Sequence, residues 1–192
     1  MRPSSYLSEA GGFRPVRLIA VSNPCSLTGL RPIYLDAMLG WLARWLRIIG
    51  VEVYYDSRFS DDYLSSIGGV VVTRDRGLFE RRDGASIYLA SSSHVEWLAA
   101  VARLMDLELT MAYSLCPLCG GRLIRVDPQE AVGKVPEHVI RLGKPIYRCA
   151  SCGQYYWEGS HHRGIKATLS RANAVKGRIR VNCMDGIAEA YL

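Results

Sequence analysis

The stretch Ile33 to Gly50, IYLDAMLGWLARWLRIIG, passes from a short apolar run into an amphipathic helix, with one carboxylate at the join. Ile33, Tyr34 and Leu35 predict a strand. Met38, Leu42, Trp45 and Ile49 recur at spacings of four and three, which predicts a helix with one buried face. Asp36 stands at the N-cap position and Gly50 where a terminating glycine belongs. Strands that deliver an acid to a strand–helix junction are a feature of α/β active sites, because ligands collect at the carboxyl ends of parallel strands. Taken alone, Asp36 reads first as a simple helix cap, since Asp is among the commonest caps. Its functional reading rests on recurrence downstream.

That recurrence is visible twice. Val51 to Tyr55 (VEVYY) has high strand propensity and is closed by Asp56. Asp61 to Ile67 predicts one or two helical turns capped by Ser60 and stopped by Gly68-Gly69. Val70 to Thr73 then reads as a strand buried on both faces, followed at once by Arg74-Asp75. A fourth strand is predicted at Ser86 to Ala90. Ser93 and Glu96 have capping-box spacing, opening a helix to about Met105 whose apolar face uses Val95, Leu98, Val101, Ala102 and Met105. The order implies an α/β fold with a mostly parallel sheet flanked by helices. Asp36, Asp56 and Asp75 then fall on one edge of that sheet.

Composition narrows the function classes. Among 192 residues, 49% are hydrophobic and 22% charged, which describes a globular chain and excludes a disordered one. No apolar run approaches the roughly 20 residues needed to cross a bilayer, so no membrane partner is expected. The patch Val16 to Val21 is interrupted by Arg17 and too short for a secretory signal. The net charge of +6 favours an acidic partner, nucleic acid foremost. Scarce Asn and Gln are a bias of heat-adapted proteins.

Carboxylates converging at a sheet edge repel one another and stay ionised at low cost only around a divalent cation. Hard oxygen ligands select Mg2+ or Mn2+, and such a site suits phosphodiester hydrolysis. Asp36 and Asp75 are the expected ligands, with Asp61 or Asp62 completing the set and Asp56 as an alternative or helper. Arg74 and Arg76 flank Asp75 and read as phosphate contacts or as solvated charge.

The second constellation is Cys116-Pro-Leu-Cys119-Gly-Gly with Cys149-Ala-Ser-Cys152-Gly. Two such knuckles make a four-cysteine zinc ribbon, and a metal with all four positions filled by thiolates is structural. The pairing points to metal rather than disulfides in a reducing cytosol. Cys25 has no partner spacing and reads as an inert thiol, and Cys183 reads as unpaired. Around the second knuckle lie Arg141, Lys144, Arg148, Tyr155, Tyr156, Trp157, His161, His162, Arg163 and Lys166. Aromatics beside cations suit single-stranded nucleic acid, and at least one of the aromatics is expected to pack the ribbon core.

The segments IYLDAMLGWLARWLRIIGVEVYYD, VVVTRDRGLFERR, CPLCGGRL and RCASCGQYYWEGSHHRGI, in that order, resemble the Mut-7 C-terminal RNase domain family. The resemblance covers about residues 31 to 166 and implies a PIN-like nuclease fold with a C-terminal zinc ribbon. It implies that Asp36 is the first-strand acid, Asp75 the acid of a T-x-D motif, and Asp61 or Asp62 the acidic pair before the second helix. Asp61 to Thr73 is shorter than the family's usual helix and turn.

The expectation is therefore a cytoplasmic ribonuclease dependent on Mg2+ or Mn2+, with structural Zn2+ and RNA as partner. Residues 1–30 form an N-terminal extension, 31–110 the PIN-like domain, 111–166 the zinc ribbon and 167–192 a basic tail. Arg44, Arg74, Arg76, Tyr156, His161 and Arg163 are the expected nucleic-acid contacts. The rival expectation is a non-catalytic RNA- or ribosome-binding adaptor on the same scaffold. Nothing in the chain names a protein partner.

Overall fold

In the computed structural model, residues 17–22, 27–184 and 187–191 are described. The strand predicted at the head of the decisive stretch is β2 (Ile33–Leu35), preceded in the chain by β1 (Arg17–Ser22). A single 3-10 turn over Ala37–Leu39 follows, and then helix α1 (Gly40–Ile48). That tighter turn moves the inward face by one position. Leu39, Leu42, Leu46 and Ile49 are buried, whereas Met38, expected inside, is 55% exposed and Trp45 half-buried. Gly50, at φ +82°, ends the helix as expected, and the Val51 amide donates back to the Leu46 carbonyl at 2.9 Å. Val51 and Val53 are thus buried against the helix end, and strand β3 is only Tyr54–Tyr55, shorter than the predicted Val51 to Tyr55.

Helix α2 (Asp61–Ser66) is capped by Ser60, whose hydroxyl accepts from the Tyr63 amide. Strand β4 (Val70–Thr73) is buried at all four residues, and each buried valine contributes about 1.5–3 kcal/mol to folding. Between β4 and β5 (Ser86–Leu89) lies α3 (Arg76–Arg81), a helix that the apolar pattern did not predict. Helix α4 (His94–Leu104) carries half a capping box. The Ser93 hydroxyl accepts from the Glu96 amide, but the Glu96 carboxylate turns to the Ser91 hydroxyl instead.

Next come β6 (Leu123–Val126), α5 (Glu137–Arg141), β7 (Ile146–Cys149) and β8 (Tyr155–Trp157). The chain ends in α6 (His161–Arg178), β9 (Arg180–Met184) and β10 (Ile187–Tyr191).

Two sheets result. The larger runs β3-β2-β4-β5-β1-β10-β9, and β6-β7-β8 form a small antiparallel one. Strands β3, β2, β4 and β5 are mutually parallel, so their carboxyl ends share one edge. The other three strands extend that parallel sheet with antiparallel pairings. Helices α1 and α4 cover one face over the main core. Helices α2 and α3 cover the other, where Leu64 and Leu78 pack with Val71.

The domain borders differ from those read in the sequence. Residues 17–22, assigned to the extension, form a strand between β5 and β10. Residues 167–192, assigned to a basic tail, supply most of α6 and two strands, and α6 buries Leu169 and Ala172 in the main core. The sequence signal was hidden because α6 is polar on most of its surface and presents only a narrow apolar stripe. Cys183 on β9 is disulfide-bonded.

Candidate functional site: an acid edge and a four-cysteine module

Asp36 leaves β2 at the shared carboxyl edge, with its amide donating to the Val72 carbonyl of the neighbouring β4 at 3.0 Å. Its side chain makes no cap bond to the following turn and is only 4% exposed. Instead, one carboxylate oxygen accepts from the Thr73 hydroxyl at 2.5 Å. The same hydroxyl accepts from the Asp75 amide at 2.8 Å. Asp75 caps α3, its Oδ1 accepting from the Leu78 amide at 3.0 Å. Thr73 thus bonds the Asp36 carboxylate on one side and the main-chain amide of Asp75, 39 positions away in the chain, on the other. The simple-cap reading fits Asp75 and fails for Asp36, where a buried carboxylate is a costly group to leave without a role.

The remaining predicted acids do not join them. Asp56 is held by Arg58, whose guanidinium donates at 3.0 and 2.7 Å, and these bonds depress its pKa to about 2. Asp61 pairs with Arg81 at 2.8 Å. Asp62 is exposed on the first turn of α2. Among the described residues, the four cysteines are the only group of three or more His, Cys, Asp or Glu gathered closely enough to hold a metal. The acid edge joins the Asp36 carboxylate to the Asp75 backbone through the Thr73 hydroxyl, and no third acid gathers there closely enough to form a metal-holding group among the described residues. Its donor set is nevertheless hard oxygen, and Mg2+ is commonly bound by one or two carboxylates together with substrate phosphates, so Asp36 and Asp75 fit that class of ion.

The cysteine module fits its expected metal more closely. The four Sγ atoms lie within 4.8 Å of one another. Cys119 to Cys149 measures 3.5 Å and Cys116 to Cys152 measures 3.7 Å. A tetrahedron with Zn–S bonds of about 2.3 Å has edges of about 3.8 Å. Gly120 and Gly153, at φ +78° and +75°, allow each knuckle to turn directly after its second cysteine. The amides of Gly121 and Cys152 donate to the sulfurs of Cys119 and Cys149. With all four donors being sulfur, a zinc here would be structural.

Tyr156, expected as an RNA contact, is half-buried with its hydroxyl 3.0 Å from the Cys116 sulfur. It supports the knuckle rather than facing a ligand. His161 and Arg163 are exposed on the first turn of α6, and Arg44 is exposed on α1. Arg76 is exposed and paired with Glu80 at 2.7 Å. Arg74 is exposed and places its guanidinium 5.0 Å from the centre of the Trp97 ring. His162 is buried, bonded to the Tyr113 hydroxyl, and its pKa is lowered by burial and by Lys166. It is a packing residue.

Sequence reasoning missed two residues that matter. In the sequence Thr73 reads as the end of a strand and as the first residue of the T-x-D motif, with no role for its hydroxyl, which bonds the acid of the neighbouring strand. Arg47 of α1 is 5% exposed, and its Nη1 donates to the Leu118 carbonyl inside the first knuckle at 2.9 Å. Burial lowers its pKa, with the Cys119 and Cys116 sulfurs pulling the other way. In the sequence, Arg47 is indistinguishable from exposed Arg44. Only the docking of the knuckle on α1 separates them.

Comparison with known proteins gives one finding. A family model described as Mut7-C RNAse domain matches residues 31–169, taking in both the acid edge and all four cysteines. No curated protein and no solved structure matches the chain.

Proposed function

Because the chain belongs to the Mut7-C RNAse domain family, we propose that it is a ribonuclease whose reaction centre is the carboxyl edge holding Asp36, Thr73 and Asp75. The observation that carries this reading is the buried Asp36 carboxylate, bonded to the Thr73 hydroxyl at the carboxyl edge of parallel strands, with Asp75 following two residues after Thr73. Asp36 and Asp75 would hold Mg2+ or Mn2+, which supplies charge neutralisation at the scissile phosphate and a lowered pKa for the attacking water. The chain's own part is positioning. Thr73 donates to Asp36, which orients that carboxylate, and the α3 cap fixes Asp75. The low exposure of Asp36 keeps bulk water from the charge and strengthens its interactions. In this reading the four cysteines hold a structural zinc, the fold is PIN-like, and the compartment is the cytoplasm.

Labelled single-stranded RNA incubated with zinc-loaded protein and Mn2+ or Mg2+ tests the reading. Cleavage is expected with the native protein and falls by at least about a hundredfold in Asp36→Asn and in Asp75→Asn. Activity that survives either change counts against it.

One observation favours the adaptor reading. Asp56 and Asp61 are bound to Arg58 and Arg81, which leaves the edge with two acids. That reading predicts salt-sensitive RNA binding that persists in both variants, with no cleavage by the native protein.

A further inference from the structure

Beside the acid edge, five residues from three elements form a continuous set of ring and cation contacts. The Arg74 guanidinium lies 5.0 Å from the Trp97 ring centre. Trp97 meets His94 edge to face at 4.4 Å, and His94 stacks on Trp41 at 4.9 Å with an interplanar angle of 19°. Trp41 in turn meets Trp45 at 5.3 Å. Arg44 lies three residues from Trp41 and one from Trp45, which places it beside the same helix face. The set starts at the reaction centre on both sides. Arg74 directly follows Thr73, and Trp41 is separated from Asp36 by one 3-10 turn and Gly40.

Core packing accounts for part of this set only. Trp97 is 4% exposed, and its indole N–H donates to the Ser91 carbonyl at 2.8 Å, which fixes the ring. His94, Arg74 and Arg44 are exposed, and Trp41 is half-buried. An exposed imidazole held against two tryptophans is ordered in advance, and the exposed guanidinium of Arg74 lies over one of those tryptophans. Aromatic faces interleaved with cations recognise nucleic acid whose bases are unstacked. A duplex keeps its base faces covered and cannot use them.

We propose that Trp41, His94 and Arg74, flanked by Arg44, form a base-stacking subsite that selects single-stranded RNA next to the Asp36–Asp75 edge. The inference rests on the ribonuclease reading for its substrate class, but its binding step needs neither cleavage nor Mg2+. A base entering the subsite lies over the His94 face, and its phosphates meet Arg74 and Arg44.

Zinc-loaded Asp36→Asn protein, without added Mg2+ or Mn2+, is titrated with decauridylate, decaadenylate and a ten-base-pair RNA duplex. Binding is read by tryptophan quenching and by anisotropy of a labelled oligomer. Both single strands are expected to quench and to bind about tenfold more tightly than the duplex. Adding His94→Ala weakens single-strand binding about tenfold with little change for the duplex, and His94→Tyr restores it to within about twofold. Equal binding of duplex and single strand, an unaffected His94→Ala protein, or a His94→Tyr protein as weak as the alanine variant overturns the proposal. If native protein fails to cleave RNA but these affinities hold, the nuclease reading falls and the subsite stands. If cleavage holds and His94→Ala binds as before, the reverse follows.

Discussion

At the scale of single residues, Thr73 decides whether the acid edge exists. Its hydroxyl is the shared partner of the Asp36 carboxylate and the Asp75 amide. Thr73→Val keeps the volume and strand propensity but leaves a buried carboxylate without its donor. The expected cost is about 1–3 kcal/mol in stability, read by chemical denaturation, with a loss of RNA cleavage. A variant as stable and active as the native protein would show that the two acids are held by other means. The positions of Asp36 and Asp75 after parallel strands were legible in the sequence, because strand propensity and the aspartates that follow are local signals. Thr73 was not, since its meaning depends on which strand lies beside it. Met38 misled for a related reason: helical spacing gives the period of a buried face, and the 3-10 turn before α1 sets its phase.

At the scale of elements, α1 links the two constellations. Its amino end follows Asp36, and near its carboxyl end Arg47 enters the first cysteine knuckle. A zinc held by four thiolates carries net negative charge, and a buried guanidinium beside it is the matching countercharge. Arg47→Met retains apolar bulk while removing that charge and the bond to the Leu118 carbonyl. Zinc transfer to a chromophoric chelator is expected to accelerate about tenfold, and an unchanged rate would reduce Arg47 to a space filler. The cysteine pairs were readable from spacing because each knuckle is local. Their docking on α1 was not, since it joins residues 71 positions apart.

At the scale of the whole molecule, the first and the last two strands among the described residues belong to the same sheet as the parallel strands. Strand β1 lies between β5 and β10, and α6 lays Leu169 and Ala172 into the main core. The division into extension, nuclease domain, ribbon and tail followed composition, and composition could not reveal that polar α6 returns to α4 or that β9 and β10 complete the sheet. A chain ending at Ser160 is therefore expected to lose cooperative unfolding and to bind a hydrophobic dye, because a covered core face becomes exposed. Cooperative unfolding like that of the full chain would restore the view of these residues as an appendage.

In the proposed reading, Asp36 and Asp75, which follow neighbouring parallel strands at one edge of the sheet, hold one divalent cation. Titration of Mn2+ into zinc-loaded protein, with free ion followed by electron paramagnetic resonance, addresses it without any RNA. The native chain and Asp56→Asn are predicted to show the same single site, weakened about tenfold or more in Asp36→Asn and in Asp75→Asn. Equal Mn2+ binding by all four proteins, or none by the native chain, would contradict it.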